Sequence, residues 1–324
     1  MARPIVDVVV VTFNTRDLTV GALRRLLDTD QGADLRVLVQ DNASSDGTVA
    51  ALAQVVPEAD VVAGSSNLGF ARGVNEALAR STAPWVLLLN SDAWPKPGAV
   101  ARLVRTADSS PAAGLVVPRL ERADGSLEHS THPFPSLRIA ALMAIGAPRW
   151  VGRSRLRRWA IEGHWLHDAP RTVDWAVGAA WLVRREALDA VGGLDERYFM
   201  YVEDLEWCWR ARRMGWQVRF EPEAVVVHVG NASGAAVFGS ERTAAHLRNL
   251  LRFYRREHGM AAAAAYRALN TAGCLRGWAR DRLVGNTARA AWWKAQVKVH
   301  LGRVGEVDLG ASPSEAQSRQ EAPG

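Results

Sequence analysis

Apolar and polar positions along the first hundred residues switch between two periods. Residues 5–13, IVDVVVVTF, form a nearly unbroken β-branched run, the pattern of a strand covered on both faces. The stretch NTRDLTVGALRRLLD that follows opens on polar residues and repeats apolar ones at Leu18, Ala22, Leu26 and Leu27, which is helical spacing. LRVLVQ at 35–40 predicts a second strand that runs out into Asp41-Asn42-Ala43-Ser44-Ser45-Asp46-Gly47, and Thr48–Val56 predicts a helix. Asp60–Ala63 reads as a third strand, 70–80 as a helix and WVLLLN at 85–90 as a fourth strand stopping at Ser91-Asp92. Strands alternating with helices imply βαβ units and a largely parallel sheet. Ligands of such sheets bind beyond the carboxyl ends of the strands, and the polar residues of this half gather at those ends.

The second half is more mixed. GLVVPRL (114–120) and TVDWAVGAAWLVRRE (172–186) contain strand-like runs, a helix starts near Asp204 and closes at Gly215, and WQVRF and AVVVHV read as two short strands. From about residue 240 the chain is Ala- and Arg-rich and helical in character. The tail after 305 is polar and expected to be disordered. The organisation expected is a domain over 1–235, divided at 110, then a helical basic extension over 236–304 and a tail over 305–324.

Composition narrows the class. The chain has 324 residues, 48% apolar and 23% charged, typical of a soluble globular protein with a sizeable core. Net charge is +6 and the pI about 9.9, which suggests an anionic partner. A nucleic-acid partner is not expected, because the first hundred residues hold eight Lys/Arg against eleven Asp/Glu and no recognition motif occurs. Two cysteines, Cys208 and Cys274, make neither a disulfide framework nor a structural zinc site. With no signal-peptide pattern and no long uncharged apolar run, a cytoplasmic location is expected. Segment 276–303 carries seven Lys/Arg against one Asp, with Trp278, Trp292 and Trp293 among them. It fits either a peripheral contact with the inner face of the plasma membrane or a helical brace with a solvated basic face.

The chemistry-bearing residues each have a structural alternative. No GxGxxG follows the first strand and no GxxxxGK[ST] occurs, which argues against dinucleotide-binding and P-loop sites. Asp41 stands where a carboxylate accepts the imide N–H of a uracil or thymine ring, or else forms a turn with Asn42. Asn67, Gly69, Arg72 and Asn75 open a helix whose free N–H groups suit a diphosphate, or simply cap it. Asp92 can hold a divalent cation or make an Asx turn before Pro95, and His228 joins it only if the fold brings the two together. Glu203-Asp204 can deprotonate a sugar hydroxyl, or can favour a helix start for electrostatic reasons alone.

Together VVVVTFN, VQDNASSDGT, SNLGFARGVNEAL, WVLLLNSDA, the block from Asp174 to Trp216 and VVHVGNASG resemble, in order and over roughly 5–234, the family-2 glycosyltransferases of the GT-A fold, particularly their bacterial rhamnosyltransferase-like branch. The resemblance implies a Rossmann-like, mixed but mainly parallel α/β sheet flanked by helices, with a helical C-terminal extension. It implies an inverting transferase that takes its sugar from a nucleotide-sugar donor, with dTDP-L-rhamnose favoured over UDP-hexoses. The acceptor implied is a hydroxyl of a saccharide or lipid-linked saccharide. Donor contacts fall on Thr12, Asn14, Asp41, Asn67, Gly69, Arg72, Asn75, Asn90 and Asp92. A divalent cation (Mg2+ or Mn2+) falls on Asp92 with His228 as second ligand, the catalytic base on Asp204, and acceptor contacts on Glu203, Trp175 and Gly178. The family's metal motif often carries two aspartates; here Asn90 takes the first place. A non-catalytic sugar-nucleotide or glycan-binding module is the competing class, and its mark, loss of Asp92 or of the Glu203-Asp204 pair, is absent from this sequence.

Overall fold

The computed structural model describes residues 3–146, 167–230 and 242–302. The 305–324 tail, Asn231–Gly234 of the loop after His228, and Arg303 lie outside the described residues. Within them the chain forms two compact units, one from 3–132 and 167–230, the other from 133–146 and 242–302.

The first unit is built on strands β1 (Ile5–Thr12), β2 (Asp34–Asp41), β3 (Asp60–Ala63) and β4 (Trp85–Leu89), separated by helices α1 (Arg16–Leu27), α2 (Thr48–Val55) and α3 (Phe70–Leu78). β5 (Ala93–Pro95), α4 (Ala99–Asp108), β6 (Ala113–Glu121), β7 (Leu127–Glu128) and β8 (Thr131–His132) follow. After the second unit's α5 (Leu137–Ile145) come β9 (Arg171–Val173), β10 (Trp175–Ala176), β11 (Ala180–Arg184), α6 (Arg185–Val191), α7 (Glu203–Arg213) and β12 (Gln217–His228). The sheet order is β3-β2-β1-β4-β11-β6-β12-β5. β3, β2, β1 and β4 are parallel, β11 enters antiparallel between β4 and β6, and β12 runs parallel to β6. The carboxyl ends of β1, β2, β4, β6 and β12 therefore share one edge of the sheet.

The β1 pattern has the cause the sequence suggests. Val6, Val8 and Val10 join Leu23 and Leu26 of α1, Leu52 of α2, and Leu103 and Val104 of α4 in one core cluster, while Val9 between them is equally buried. A strand covered on both faces cannot alternate, so it reads as a continuous apolar run. Residues 217–228 differ from expectation, being one strand where two were predicted. The register with β6 shifts between Glu221 and Val225, so Pro222, which has no ladder N–H to give, sits in an irregularity and the strand resumes beyond it. That continuity delivers His228 to the carboxyl edge.

The second unit comprises α5, α8 (Arg242–Leu283) and α9 (Thr287–His300), with α8 interrupted at Gly259 (φ 82°, ψ 172°). Tyr254 and Tyr266 of α8 stack at 4.3 Å and cluster with Ala140 of α5. Among the described residues no helix is long and apolar enough to cross a membrane.

Candidate active site

The loops after β1 and β2 are tied to each other before any ligand arrives. Asn14 stands at φ 50°, its backbone N–H donating to Ser44 Oγ at 2.9 Å and its Oδ1 accepting from the Ser45 N–H at 2.8 Å. Thr12 Oγ1 is enclosed with the hydroxyls of Thr15 (3.0 Å) and Thr19 (2.8 Å), which pins the first turn of α1 under the strand end. Asp41 is 1% exposed, and its Oδ1 accepts from the Ser44 N–H at 2.8 Å. Its Oδ2 is buried with no hydrogen-bond partner, and neither has Asn42 Oδ1 beside it. Two unsatisfied acceptors at adjacent strand-end positions are costly unless a donor comes from outside the chain.

The next loop is held from two sides. Asn67 Oδ1 accepts from the Gly69 N–H (3.0 Å) and from Asn42 Nδ2 (3.3 Å), and Asn42 Nδ2 also donates to the Gly69 carbonyl at 3.0 Å. Gly69 has φ 83°, and a Cβ there would stand 2.5 Å from the Phe199 carbonyl, so only glycine fits. The Phe70 N–H then donates to that carbonyl at 2.7 Å, joining the start of α3 to the segment before α7. Asn75 holds the same region lower down, donating to the Leu194 carbonyl (2.9 Å) and Glu196 Oε1 (3.0 Å) and accepting from the Leu194 N–H (2.9 Å). Arg72 is exposed, 3.7 Å from Glu76 one turn along α3. Asn67, Gly69 and Asn75 thus converge within the protein, while Arg72 faces solvent.

At the end of β4 the fold does bring Asp92 and His228 together. β5 pairs antiparallel with β12 in the register Ala93 opposite His228, and the Val229 N–H donates to the Asp92 carbonyl at 3.0 Å. His228 Nε2 then lies 3.4 Å from Asp92 Oδ1 and 3.3 Å from Asn90 Nδ2, while Nδ1 lies 3.0 Å from Glu128 Oε2. Burial disfavours the charged ring, but hydrogen bonds and charge from Asp92 and Glu128 outweigh it and raise the His228 pKa to about 9. Among the described residues no three His, Cys, Asp or Glu side chains are grouped as a complete metal cage. The two carboxylates approach opposite nitrogens of the ring, so they do not converge on one point. A divalent cation there would have to displace the proton that the raised pKa keeps on the ring, and with it gone Asp92 Oδ1 and His228 Nε2 would be two of its ligands. Glu128, on Nδ1, is the outer partner that would fix the ring's tautomer. Sequence reasoning missed Glu128. The available signal was the Asp124-Gly125 turn, which folds β7 back on β6 with Glu128 opposite Leu120.

Glu203 and Asp204 begin α7 after a contorted approach. Tyr201 (φ 71°) and Val202 (φ 79°) are consecutive left-handed residues, a conformation that disfavours side chains and β-branched ones most. Strain of this kind persists where surrounding structure over-determines it. The downstream helix supplies that structure: Trp207 packs on Trp181 with centroids 5.7 Å apart and donates to the Gly192 carbonyl at 2.8 Å. Arg210 holds Glu206 through both carboxylate oxygens at 2.9 Å and donates to the Gly193 carbonyl at 2.7 Å. Glu203 is 6% exposed and its Oε2 has no partner; burial first, then the Asp204 charge, push its pKa well up. Asp204 keeps part of its surface open to solvent. Burial raises its pKa to about 6 against the opposing N–H groups of Leu205 (2.8 Å) and Gly178 (3.2 Å). A carboxylate so tuned is ionised at neutral pH yet more basic than an ordinary Asp. Gly178 is followed by Ala179, whose carbonyl accepts from the Asn90 N–H at 3.0 Å. Two successive residues therefore separate Asp204 from the Asn90–Asp92 corner. Trp175 lies three residues before Gly178, on β10, its ring 4.8 Å from that of His132 on β8.

Comparison with known proteins agrees with this architecture. The family model described as glycosyl transferase family 2 matches residues 7–192. The chain is 34% identical over 203 residues to the N-acetylglucosaminyl-diphospho-decaprenol L-rhamnosyltransferase of Mycobacterium tuberculosis, covering 59% of this chain and 66% of that relative. It is 30% identical over 226 residues to a pre-mycofactocin glycosyltransferase of the same organism, covering 66% of this chain and 43% of that one. The chain thus spans just under two thirds of the first relative's length and less than half of the second's. Among solved structures, the mannosyltransferase PcManGT from Pyrobaculum calidifontis, in complex with GDP-Man and Mn2+, superposes with a TM-score of 0.58 at 18% identity. That match covers 93% of this chain and 85% of the mannosyltransferase. GalNAc-T7 with UDP, GalNAc and Mn2+ gives 0.52 at 12% identity, covering 77% of this chain and 47% of that one. At those identities the likeness speaks for the fold, which is GT-A, with its mixed, mainly parallel sheet. On the family match over more than half its length, this chain belongs to glycosyl transferase family 2.

Proposed function

We propose that the protein is an inverting glycosyltransferase that moves L-rhamnose from dTDP-L-rhamnose to a hydroxyl of a lipid-linked saccharide. The observation that carries this reading is the placement of Asp204, with a pKa near 6, next to Gly178-Ala179 and so across two residues from the Asn90–Asp92 corner. The unpartnered acceptors of Asp41 and Asn42 support a pyrimidine base whose imide N–H they would receive. The rhamnose and the lipid-linked acceptor are supported by the printed activity of the mycobacterial relative.

Asp204 takes the proton of the acceptor hydroxyl as its oxygen attacks the anomeric carbon on the face opposite the diphosphate. The new C–O bond forms as the bond to the diphosphate oxygen breaks, and the electron pair leaves with the nucleoside diphosphate. Asp92 and His228 would hold a divalent cation, which when bound neutralises charge on that leaving group. Glu203, kept short of hydrogen bonds beside Asp204, would receive an acceptor hydroxyl. Asp204→Asn should lower transfer by about 10²–10⁴-fold, the usual range for general-base catalysis. The thermal shift given by dTDP-L-rhamnose should survive the change, since the amide keeps the shape of the carboxylate. Loss of donor-induced stabilisation in parallel with activity would remove Asp204 from the role of base. A shift with UDP-hexoses alone would keep the chemistry and change the donor.

A further inference from the structure

The second unit has a feature that the transfer reaction does not use. Asp281, the single acid of segment 276–303, is 2% exposed. Its carboxylate accepts from Arg280 Nε (2.8 Å) and Trp293 Nε1 (2.8 Å), with Arg289 Nε 3.6 Å away. Gly277 makes that closure possible, because a Cβ there would stand 2.6 Å from the Trp293 ring. The helices therefore clamp around the one negative charge and draw it inside, while Arg276, Arg282, Arg289, Lys294 and Lys298 remain exposed.

Between the helices the chain turns through Leu283, Val284 and Gly285, with Gly285 at φ 74°. The turn is fixed by the Val284 N–H on the Arg280 carbonyl (3.1 Å) and the Asn286 N–H on the Asp281 carbonyl (2.8 Å). Asn286 Oδ1 also caps α9 by accepting from the Arg289 N–H at 3.1 Å. This ordered tip holds Leu283 at 88% and Val284 at 70% exposure, and Trp292 on α9 is 51% exposed. The tip is thus a protruding apolar pair, flanked by Arg282 and Arg289, in a segment (276–303) whose one acid is internal.

We propose that the α8–α9 hairpin is a docking element for an anionic phospholipid surface, with Leu283 and Val284 entering the interface and the flanking cations meeting the headgroups. Two apolar side chains at a protruding turn cover far less than the roughly 800 Å² per partner of a stable protein interface. A nucleic acid would take the cations and leave the apolar pair in water. A bilayer takes both kinds of group and demands no shape match. The proposal stands apart from the reaction assigned above, because vesicle binding is read without any sugar nucleotide.

The test is sedimentation of the full chain with phosphatidylcholine vesicles, with and without phosphatidylglycerol. Binding should require phosphatidylglycerol and weaken with salt, as screened surface charge does. Leu283→Asp with Val284→Asp should lower partitioning by about tenfold or more at unchanged Tm, since both side chains are solvent-exposed in the fold. Lys294→Glu with Lys298→Glu should do so by a smaller factor. Absence of sedimentation with phosphatidylglycerol would overturn the proposal. So would full retention of binding by the Leu283–Val284 variant, or equal competition for wild type and that variant by RNA.

Discussion

Two sets of buried carboxylates sit at opposite edges of the mixed, mainly parallel sheet and behave in opposite ways. Asp7, near the amino end of β1, is 1% exposed and accepts from Ser81 Oγ (2.8 Å), the Thr82 and Ala83 N–H groups (2.7 and 2.9 Å) and Arg36 (2.9 and 3.0 Å). Burial alone would raise its pKa, but these donors outweigh it and hold the carboxyl below its ordinary value. Glu203 and Asp204, at the other end, are also shielded, yet they receive few donors and lie beside each other, and both pKa values rise. Donor supply, more than depth, decides whether a buried acid braces a fold or stays poised to take a proton.

That contrast can be attacked directly. The largest stability effect should come from Asp7→Ala, which strands several buried donors at once and should cost about 3 kcal/mol. Thermal unfolding would register it as a large fall in Tm, while transfer per folded molecule should hold. An equal loss in specific activity would mean that the amino edge is not purely structural. Next in size is Glu128→Gln, which keeps the shape but releases the His228 ring. Affinity for Mn2+ in the presence of nucleoside diphosphate, followed by electron paramagnetic resonance, should fall about 10-fold or more, and unchanged affinity would make Glu128 a bystander.

The smallest effect is in the pH dependence of stability, where the two sets have opposite signs. Asp7, with a lowered pKa, contributes stability present above the unfolded value and lost as pH falls through its folded pKa. Asp204, raised to about 6, contributes stability fully present below its unfolded pKa and lost as pH rises through about 6. Lowering the pH from 7 to about 5 should therefore raise the Tm slightly. Glu203→Gln with Asp204→Asn should remove most of that rise and leave the part that His228, raised to about 9, contributes with the same sign; an undiminished rise in the double variant would place its origin elsewhere.

The parallel half of the fold was legible because β4 throughout, and β1 and β2 beyond their first residues, are covered and announce themselves as apolar runs, and because turns rich in Asp, Asn and Gly end them. What escaped was set by tertiary context. α6 follows β11 in one unbroken stretch of apolar and charged residues, with no turn signal between them. Residues 217–228 look broken because Pro222 interrupts the pattern, while the bulge that absorbs it is invisible without β6. In the site, Asp41, Asp92 and Asp204 could be singled out as residue types at element ends. The pairing of Asp92 with His228 depends on β5 meeting β12 in one register, which no local pattern encodes. The sequence around Gly69 suits a phosphate-facing turn, yet its lack of a side chain is demanded by Phe199, 130 residues further along the chain.

That last contact bears on how the two substrates affect each other's affinity. The hydrogen bond from Phe70 N–H to the Phe199 carbonyl ties the loop at the start of α3, which the proposed reaction gives to the donor, to the stretch that ends in Glu203-Asp204. On the proposed assignment, this bond is a route by which a donor at one end and an acceptor at the other would influence each other's affinity. Whatever factor the donor gains for the acceptor's affinity, the acceptor must return to the donor, because the four binding equilibria close a thermodynamic cycle. The coupling factor is thus a single quantity, measurable from either side.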